Sequence, residues 1–375
     1  ELEEEAAREL ARRGHSVDIF TRYHDPNDLQ VDELEYGVRL VHLKAGPYDS
    51  AKVGLYEHIP EFLTSLEAFR RSSDTRYDLV HSHYWLSGPV GEILSDRWNI
   101  PHAITFHTLA KTKKQARSGE HEPEMRLTDE QRSMERADAV VVSTAQERED
   151  IRRLYGKSSR TVRVIPAGVD LDLFKPGDQA AARDQLGLNG DRMLLYVGRL
   201  EPIKGLEVLM YTLGSMEEPG NVRLLVIGGD GEHDEGYQKM MTLARELNIE
   251  GRVDFLGSLS HGLLPLYYQA ADVCVVPSYY ESFGLVALEA MACGTPVVAT
   301  RVGGLSTVIQ HGRTGYLKSW RCPEAFASSL EMLISSKKLQ HSMGLAARRR
   351  AEGLSWDNVA ARIVNVYVAL APESC

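Results

Sequence analysis

Cysteine is scarce. The 375 residues hold four, Cys274, Cys293, Cys322 and Cys375, in no CxxC pair and no metal-ligand spacing. That excludes a disulfide framework and a cysteine-built zinc site. The four read as small, mostly buried residues of a reducing cytosol, so a cytoplasmic protein is expected. No apolar run approaches the length of a membrane span, so no integral membrane segment is expected, and no signal peptide is read at the start. Positive charge is not in excess either. A net charge of −10 argues against nucleic acid or an anionic membrane as a general partner, while leaving local basic pockets open. Internal repeats and low-complexity segments are missing too.

What is present is an ordinary globular balance, 43% hydrophobic and 26% charged, in a chain long enough for two cores. Short β-rich apolar runs fall at 17–21, 38–43, 79–81, 102–107, 139–143, 161–166, 193–198, 223–228, 253–257, 273–277 and 296–300, with helical patterns between most of them. Alternation of this kind predicts parallel sheets in an α/β architecture of two Rossmann-like domains with an interdomain cleft. A Pro-, Gly- and Asp-rich stretch at 166–178 reads as the linker. The expected domains are 1–172 and 173–355, with a terminal helix in 356–375 crossing back onto the first. The opening ELEEEAARELARRGHSVDIF is an amphipathic helix, Gly14 and a strand, the middle of a βαβ unit. A preceding strand and its following loop are therefore expected in the natural polypeptide.

Residues 277–304, PSYYESFGLVALEAMACGTPVVATRVGG, carry the densest signal. Their centre is apolar almost all round, as in a buried helix. Yet Glu289 lies in it and Glu281 just ahead. A buried carboxylate costs several kcal/mol unless something pairs with it. One reading has Glu289 bonding protein groups in a core helix. The other has both carboxylates accepting ligand hydroxyls, with Ser282-Phe283-Gly284 opening a helix whose free N–H groups cradle a phosphate. Those features together suit a sugar nucleotide.

Gly198-Arg199, at the end of a strong strand, leads to Lys204 where a helix begins. Two cations there suit a diphosphate, or form a solvated basic pair. Gly228-Gly229-Asp230-Gly231 is a second strand-end turn, a weak signal alone. His107 closes a strand, where it orients a sugar hydroxyl or serves as a structural histidine. Asp170 and Asp172 have the DxD form of metal-dependent sugar transferases, but their place in the linker favours a turn. No metal site is expected.

Together these residues resemble the family 4 retaining glycosyltransferases of the GT-B fold. The match rests on the R-x4-K pair Arg199/Lys204, the E-x7-E pair Glu281/Glu289 with SFG between, PAGVD and GTPVVATRVGG, and covers essentially the whole chain. The resemblance implies that Gly198, Arg199 and Lys204 meet the donor diphosphate and that Glu281 binds the donor sugar. It implies that Glu289 binds the ribose, that the backbone at Phe283, Gly284 and Leu285 lines sugar and phosphate, and that residues near 252–257 face the base. Arg199, Lys204, His107 and Glu281 are the implied catalytic set.

The first half is more specifically similar to the branch holding the D-inositol-3-phosphate glycosyltransferases, with sucrose-phosphate synthases as neighbours. Lys52, Tyr84, Thr108 and Arg126 match that branch's acceptor-phosphate residues. Two cations and two hydroxyls suit a phosphate monoester, although alone Lys52 and Arg126 would read as surface charge. The resemblance implies metal-independent transfer of a hexosyl unit from a UDP-sugar, as UDP-GlcNAc or UDP-glucose, to a small phosphorylated acceptor, an inositol phosphate first. A hexose phosphate or another glycan or lipid acceptor is the alternative. A nucleotide-sugar epimerase, a phosphorylase and a non-catalytic sugar-nucleotide binder remain rivals. No cofactor is implied beyond the co-substrate; oligomeric state stays open, a homodimer being admissible.

Overall fold

The computed structural model describes residues 2–50, 54–116, 122–156, 161–188, 190, 192–216, 222–231, 233–319 and 322–371. It divides into two compact units, residues 1–167 with 356–375, and 168–355. The division falls at Gly168, ahead of the expected 172. Val169 bridges to Ser355, and its N–H donates to the Leu354 carbonyl at 3.0 Å, which fixes this stretch to the second unit. Asp170 and Asp172 form a turn, in which Asp170 Oδ1 accepts from the N–H groups of Asp172 at 2.8 Å and Leu173 at 3.0 Å.

Among the described residues the first unit holds seven strands: β1 Val17–Arg22, β2 Val31–Glu35, β3 Val38–Leu43, β4 Val80–His83, β5 His102–Thr105, β6 Ala139–Val142 and β7 Val162–Val164. They form a three-stranded sheet of order β1-β3-β2 and a parallel four-stranded sheet of order β4-β5-β6-β7. Strand β2 was not expected. It is a polar strand, VDELE, running antiparallel to β3, and its lack of an apolar run hid it.

Successive side chains on a strand face opposite sides, and the sheet is covered on both. Ile104 and Val140 face a core with Trp85, Phe106, Leu109 and Met134. Ala103, Ala139 and Val141 face another with Leu10, Trp356, Val359, Ile363 and Val366. The helix Trp356–Leu370 thus belongs to the first unit although it follows the whole of the second.

The second unit holds β8 Arg192–Val197, β9 Val222–Ile227, β10 Val253–Gly257, β11 Val273–Val276, β12 Val297–Thr300 and β13 Gly315–Lys318. All pair in parallel, in the order β10-β9-β8-β11-β12-β13. The four central strands β9, β8, β11 and β12 are largely apolar and almost wholly buried, as suits strands covered on both faces. The chain starts at the sheet's centre, builds outward to β10, then returns to lay β11 beside β8. Between β8 and β11 the order reverses, and open α/β sheets bind ligands at the carboxyl ends of such neighbours. Strand β13 was also unexpected; GYLK is short and has no alternation to mark it. Among the described residues, no helix is long and apolar enough to cross a membrane.

Candidate active site

The reversal point of the second sheet brings together two of the charged residues singled out in its sequence, Lys204 and Glu281. Past β8 the chain runs through Gly198, Arg199 and the short 3-10 turn Pro202–Lys204. Past β11 it runs through Pro277 to Glu281. Lys204 Nζ donates to Glu281 Oε2 at 2.7 Å, and both side chains are mostly buried. Ser278 Oγ adds a longer bond to the same oxygen at 3.4 Å. The two loops are fastened by the Tyr279 N–H, which donates to the Ile203 carbonyl at 2.8 Å.

Two glycines make this approach possible. A Cβ on Gly205, at φ +70°, would lie 2.2 Å from the Pro277 oxygen. One on Gly303, at φ +44°, would lie 2.0 Å from the Glu281 oxygen. Neither position accepts another residue without moving the loop that carries Glu281. The Gly304 N–H donates to the Glu281 carbonyl at 3.0 Å, so the VGG end of GTPVVATRVGG forms the floor of that loop.

Arg199 is set apart from this pair. It is exposed and bonds the Glu201 carboxylate, while its carbonyl accepts from Tyr196 Oη at 2.9 Å. Phe283 is buried, and Gly284 precedes the helix Leu285–Ala292. The first N–H groups of that helix have no intrahelical acceptor.

Glu289 is buried in that helix, and its partners come from outside it. Tyr268 Oη donates to Glu289 Oε2 at 2.8 Å, and His261 Nε2 lies 3.3 Å from Oε1. Burial and the neighbouring carboxylate drive the Tyr268 phenol well above its usual pKa, so it stays a donor. The sequence offered no cation within helical reach of Glu289; both partners lie more than twenty residues upstream, in another element. Cys274 and Cys293 are buried free thiols, and burial pushes Cys293 up to about 12.

In the first unit, the carboxyl ends of β4 and β5 carry the other residues. Strand β5 stops at Thr105, and His107 sits at the centre of a three-residue turn closed by the Thr108 N–H on the Phe106 carbonyl at 2.6 Å. Its φ is +60° and that of Tyr84, just past β4, is +71°. Such values are strained for non-glycine residues and tend to mark functional sites.

His107 Nε2 lies 2.9 Å from His83 Nδ1 and 3.1 Å from Glu3 Oε1. Burial, then the nearby His107, lowers His83 to about 4 and keeps it neutral. Burial would raise Glu3, but its hydrogen bond to His107 and the charges of both histidines outweigh that, and the carboxyl falls to about 2. Among the described residues, Glu3, His83 and His107 form a group whose ligand atoms lie within 4.8 Å of one another, close enough to share a metal ion. Sequence reading saw no such cluster, because its members come from three separate elements. The HSH pair on β4 was its one visible trace.

Arg126 is not a surface charge. It is buried on the helix Glu124–Arg136, with Glu122 and Glu130 each 2.7 Å away. Its Nη2 donates to the Thr108 carbonyl at 2.8 Å and Thr108 Oγ1 at 2.9 Å. Its guanidinium lies 5.3 Å from the centre of the Tyr84 ring. Three of the four expected acceptor residues therefore converge; Lys52 lies outside the described residues.

The family model for "Glycosyl transferases group 1" matches residues 178–350, and that for "Glycosyl transferase 4-like domain" matches residues 4–168. The D-inositol 3-phosphate glycosyltransferase of Corynebacterium diphtheriae is 41% identical over 371 residues, 96% of this chain and 87% of that one. The chain belongs to the family 4 glycosyltransferases. It is a glycosyltransferase of the GT-B fold, similar in structure to the sucrose-phosphate synthase of Thermosynechococcus elongatus. That likeness has a TM-score of 0.90 at 37% identity, over 97% of this chain and 91% of the other. Anabaena HepE, solved in complex with UDP-glucose, shares the fold at a TM-score of 0.72 and 21% identity, over 88% and 86% of the two chains.

Proposed function

We propose that this glycosyltransferase moves a hexosyl unit, with retention, from a UDP-sugar to a hydroxyl of a small phosphorylated acceptor, and that the acceptor is an inositol phosphate. The observation that carries the reading is the Lys204–Glu281 pair at the reversal of the second sheet. The second unit holds the donor. Lys204 and Arg199 take the diphosphate, with the N–H groups opening the helix Leu285–Ala292. Glu281 accepts from sugar hydroxyls and Glu289 from the ribose. Departure of the diphosphate builds negative charge on its oxygens, and fixed donors aimed there lower the barrier. The leaving phosphate takes the acceptor proton on the same face, which retains configuration. No metal is assigned a step.

The first unit holds the acceptor. His107 meets the transferred sugar; Arg126, Thr108, Tyr84 and Lys52 meet the acceptor phosphate. The 41% identity to the D-inositol 3-phosphate glycosyltransferase of Corynebacterium diphtheriae supports inositol phosphate. The TM-score of 0.90 to sucrose-phosphate synthase favours a second reading, transfer to a hexose phosphate. Free thiols at Cys274, Cys293 and Cys322 fit a reducing cytoplasm.

The test incubates the natural polypeptide with UDP-GlcNAc or UDP-glucose and inositol phosphate, fructose 6-phosphate or unphosphorylated inositol. UDP release and product mass are followed. Release with inositol phosphate alone is the expected result. Release with fructose 6-phosphate alone selects the second reading. Equal turnover with unphosphorylated inositol removes the phosphate pocket.

A further inference from the structure

The surroundings of Arg126 contain one carboxylate more than its burial requires. Glu130 is fully buried and locked by the Arg126 Nε–H at 2.7 Å, the Ala110 N–H at 3.0 Å and the Tyr155 hydroxyl. It neutralises the guanidinium and has no route to solvent. Glu122 stands differently. It precedes the helix Glu124–Arg136, its Oε2 accepts from Arg126 Nη1 at 2.7 Å, and its Oε1 accepts from Lys113 Nζ at 2.6 Å. With Nε on Glu130 and Nη2 on both oxygens of Thr108, Nη1 is the corner of Arg126 left for a ligand, and Glu122 occupies it.

Charge makes the consequence definite. Arg126 and Lys113 bring two positive charges, Glu130 and Glu122 two negative ones. While Glu122 is bound, the group offers no net attraction to an anion. Once it swings out, one positive charge faces the vacated position, with Nη1 and Lys113 Nζ as donors and the Thr108 hydroxyl beside them.

We propose that Glu122 is a specificity-determining residue that occupies the acceptor-phosphate position on Arg126 and Lys113, so that an acceptor binds only if its anion displaces this carboxylate. The inference rests on the reading of Arg126 as the acceptor-phosphate residue. A phosphate monoester dianion brings more charge and more acceptor oxygens than a carboxylate, and it wins the exchange. A neutral polyol, or a monoanion such as a sugar carboxylate, does not. Glu122 thereby converts a site that would bind any anion into one that selects dianions.

The test is Glu122→Gln, which keeps the shape and removes the charge, measured with inositol phosphate, with unphosphorylated inositol, and with inorganic phosphate as competitive inhibitor. The KM for inositol phosphate and the Ki for inorganic phosphate should each fall by about 5- to 10-fold, roughly the strength of one charge-assisted bond. Unphosphorylated inositol should still give no UDP release, since it brings no anion to the vacated position. An unchanged or raised KM for inositol phosphate overturns the proposal and makes Glu122 a residue that merely orients Arg126. Arg126→Lys separates the two levels of the argument. If it leaves the preference for phosphorylated over unphosphorylated acceptor intact, the acceptor-site reading itself fails, whatever Glu122→Gln does. Binding of inorganic phosphate to each variant, read by calorimetry without donor, shows the same exchange independently of turnover.

Discussion

Lys204 Nζ stands 2.7 Å from Glu281 Oε2, although 77 residues separate the two in the chain. Sheet order creates the contact: β8 and β11 are neighbours because the chain returned to the centre of the sheet, and each residue follows one of those strands. Lys204→Met should lower kcat by about 100-fold or more with both substrates saturating, the typical effect of losing one fixed donor to a developing oxyanion. Steady-state UDP release measures it. Turnover within a factor of two of the unaltered enzyme would remove Lys204 from leaving-group stabilisation.

Tyr268 and Glu289 supply a second test. Tyr268→Phe deletes the hydroxyl that donates to Glu289 at 2.8 Å and leaves His261 Nε2 in place, 3.3 Å from the other carboxylate oxygen. A buried carboxylate that loses a donor costs about 1–3 kcal/mol of stability, read as a shift in the denaturant midpoint. The freed oxygen should also misplace the ribose and raise the donor KM about 3- to 10-fold, or about 0.6–1.4 kcal/mol, the net worth of one hydrogen bond. A donor KM that does not change while stability falls would make Glu289 a core residue only.

Glu147 predicts a pH dependence of stability. Burial drives its carboxyl from 4.5 up to about 7, against the lowering effect of hydrogen bonds from the Ser143 N–H and hydroxyl. The folded chain therefore keeps this proton where the unfolded chain has lost it. The contribution is fully present below pH 4.5 and is lost as pH rises from there through 7. Glu147→Gln should abolish that slope, so the variant gains on the unaltered protein by about 3 kcal/mol across the window. Urea unfolding at pH 4.5, 6 and 7.5 checks it. Parallel stability curves for the two proteins would show that Glu147 does not titrate there.

The two-domain α/β fold was legible because parallel strands buried on both faces are continuous apolar runs. Strands β2 and β13 escaped for the opposite reason: VDELE is polar and GYLK too short to show a period. Placement of Lys204 beside Glu281 could be inferred from two strand-end motifs, since both lie past carboxyl ends of central strands. The company of Arg126 was written in its own segment. Arg126 and Glu130 stand four apart on one helical face, and Glu122, four residues before Arg126 and just ahead of the helix, reaches back to the same guanidinium. A cation so flanked is more readily buried than a lone one. Nothing local announced that Tyr268 and His261 would meet Glu289, or that Glu3 would reach His83 and His107. Those contacts depend on which elements become neighbours, and that is settled by packing between segments far apart in the chain.

The helix Trp356–Leu370 lies against Leu10, Ala103 and Ala139 of the first unit, yet it is made after every residue of the second. On the ribosome, where domains generally mature in order of synthesis, the order here is inverted. The second unit emerges whole and can close its core at once. The first, begun earlier, must hold its β4–β7 sheet with one face only partly covered, by Leu10 and its neighbours, until the helix Trp356–Leu370 arrives, and it is the unit that needs shelter during synthesis.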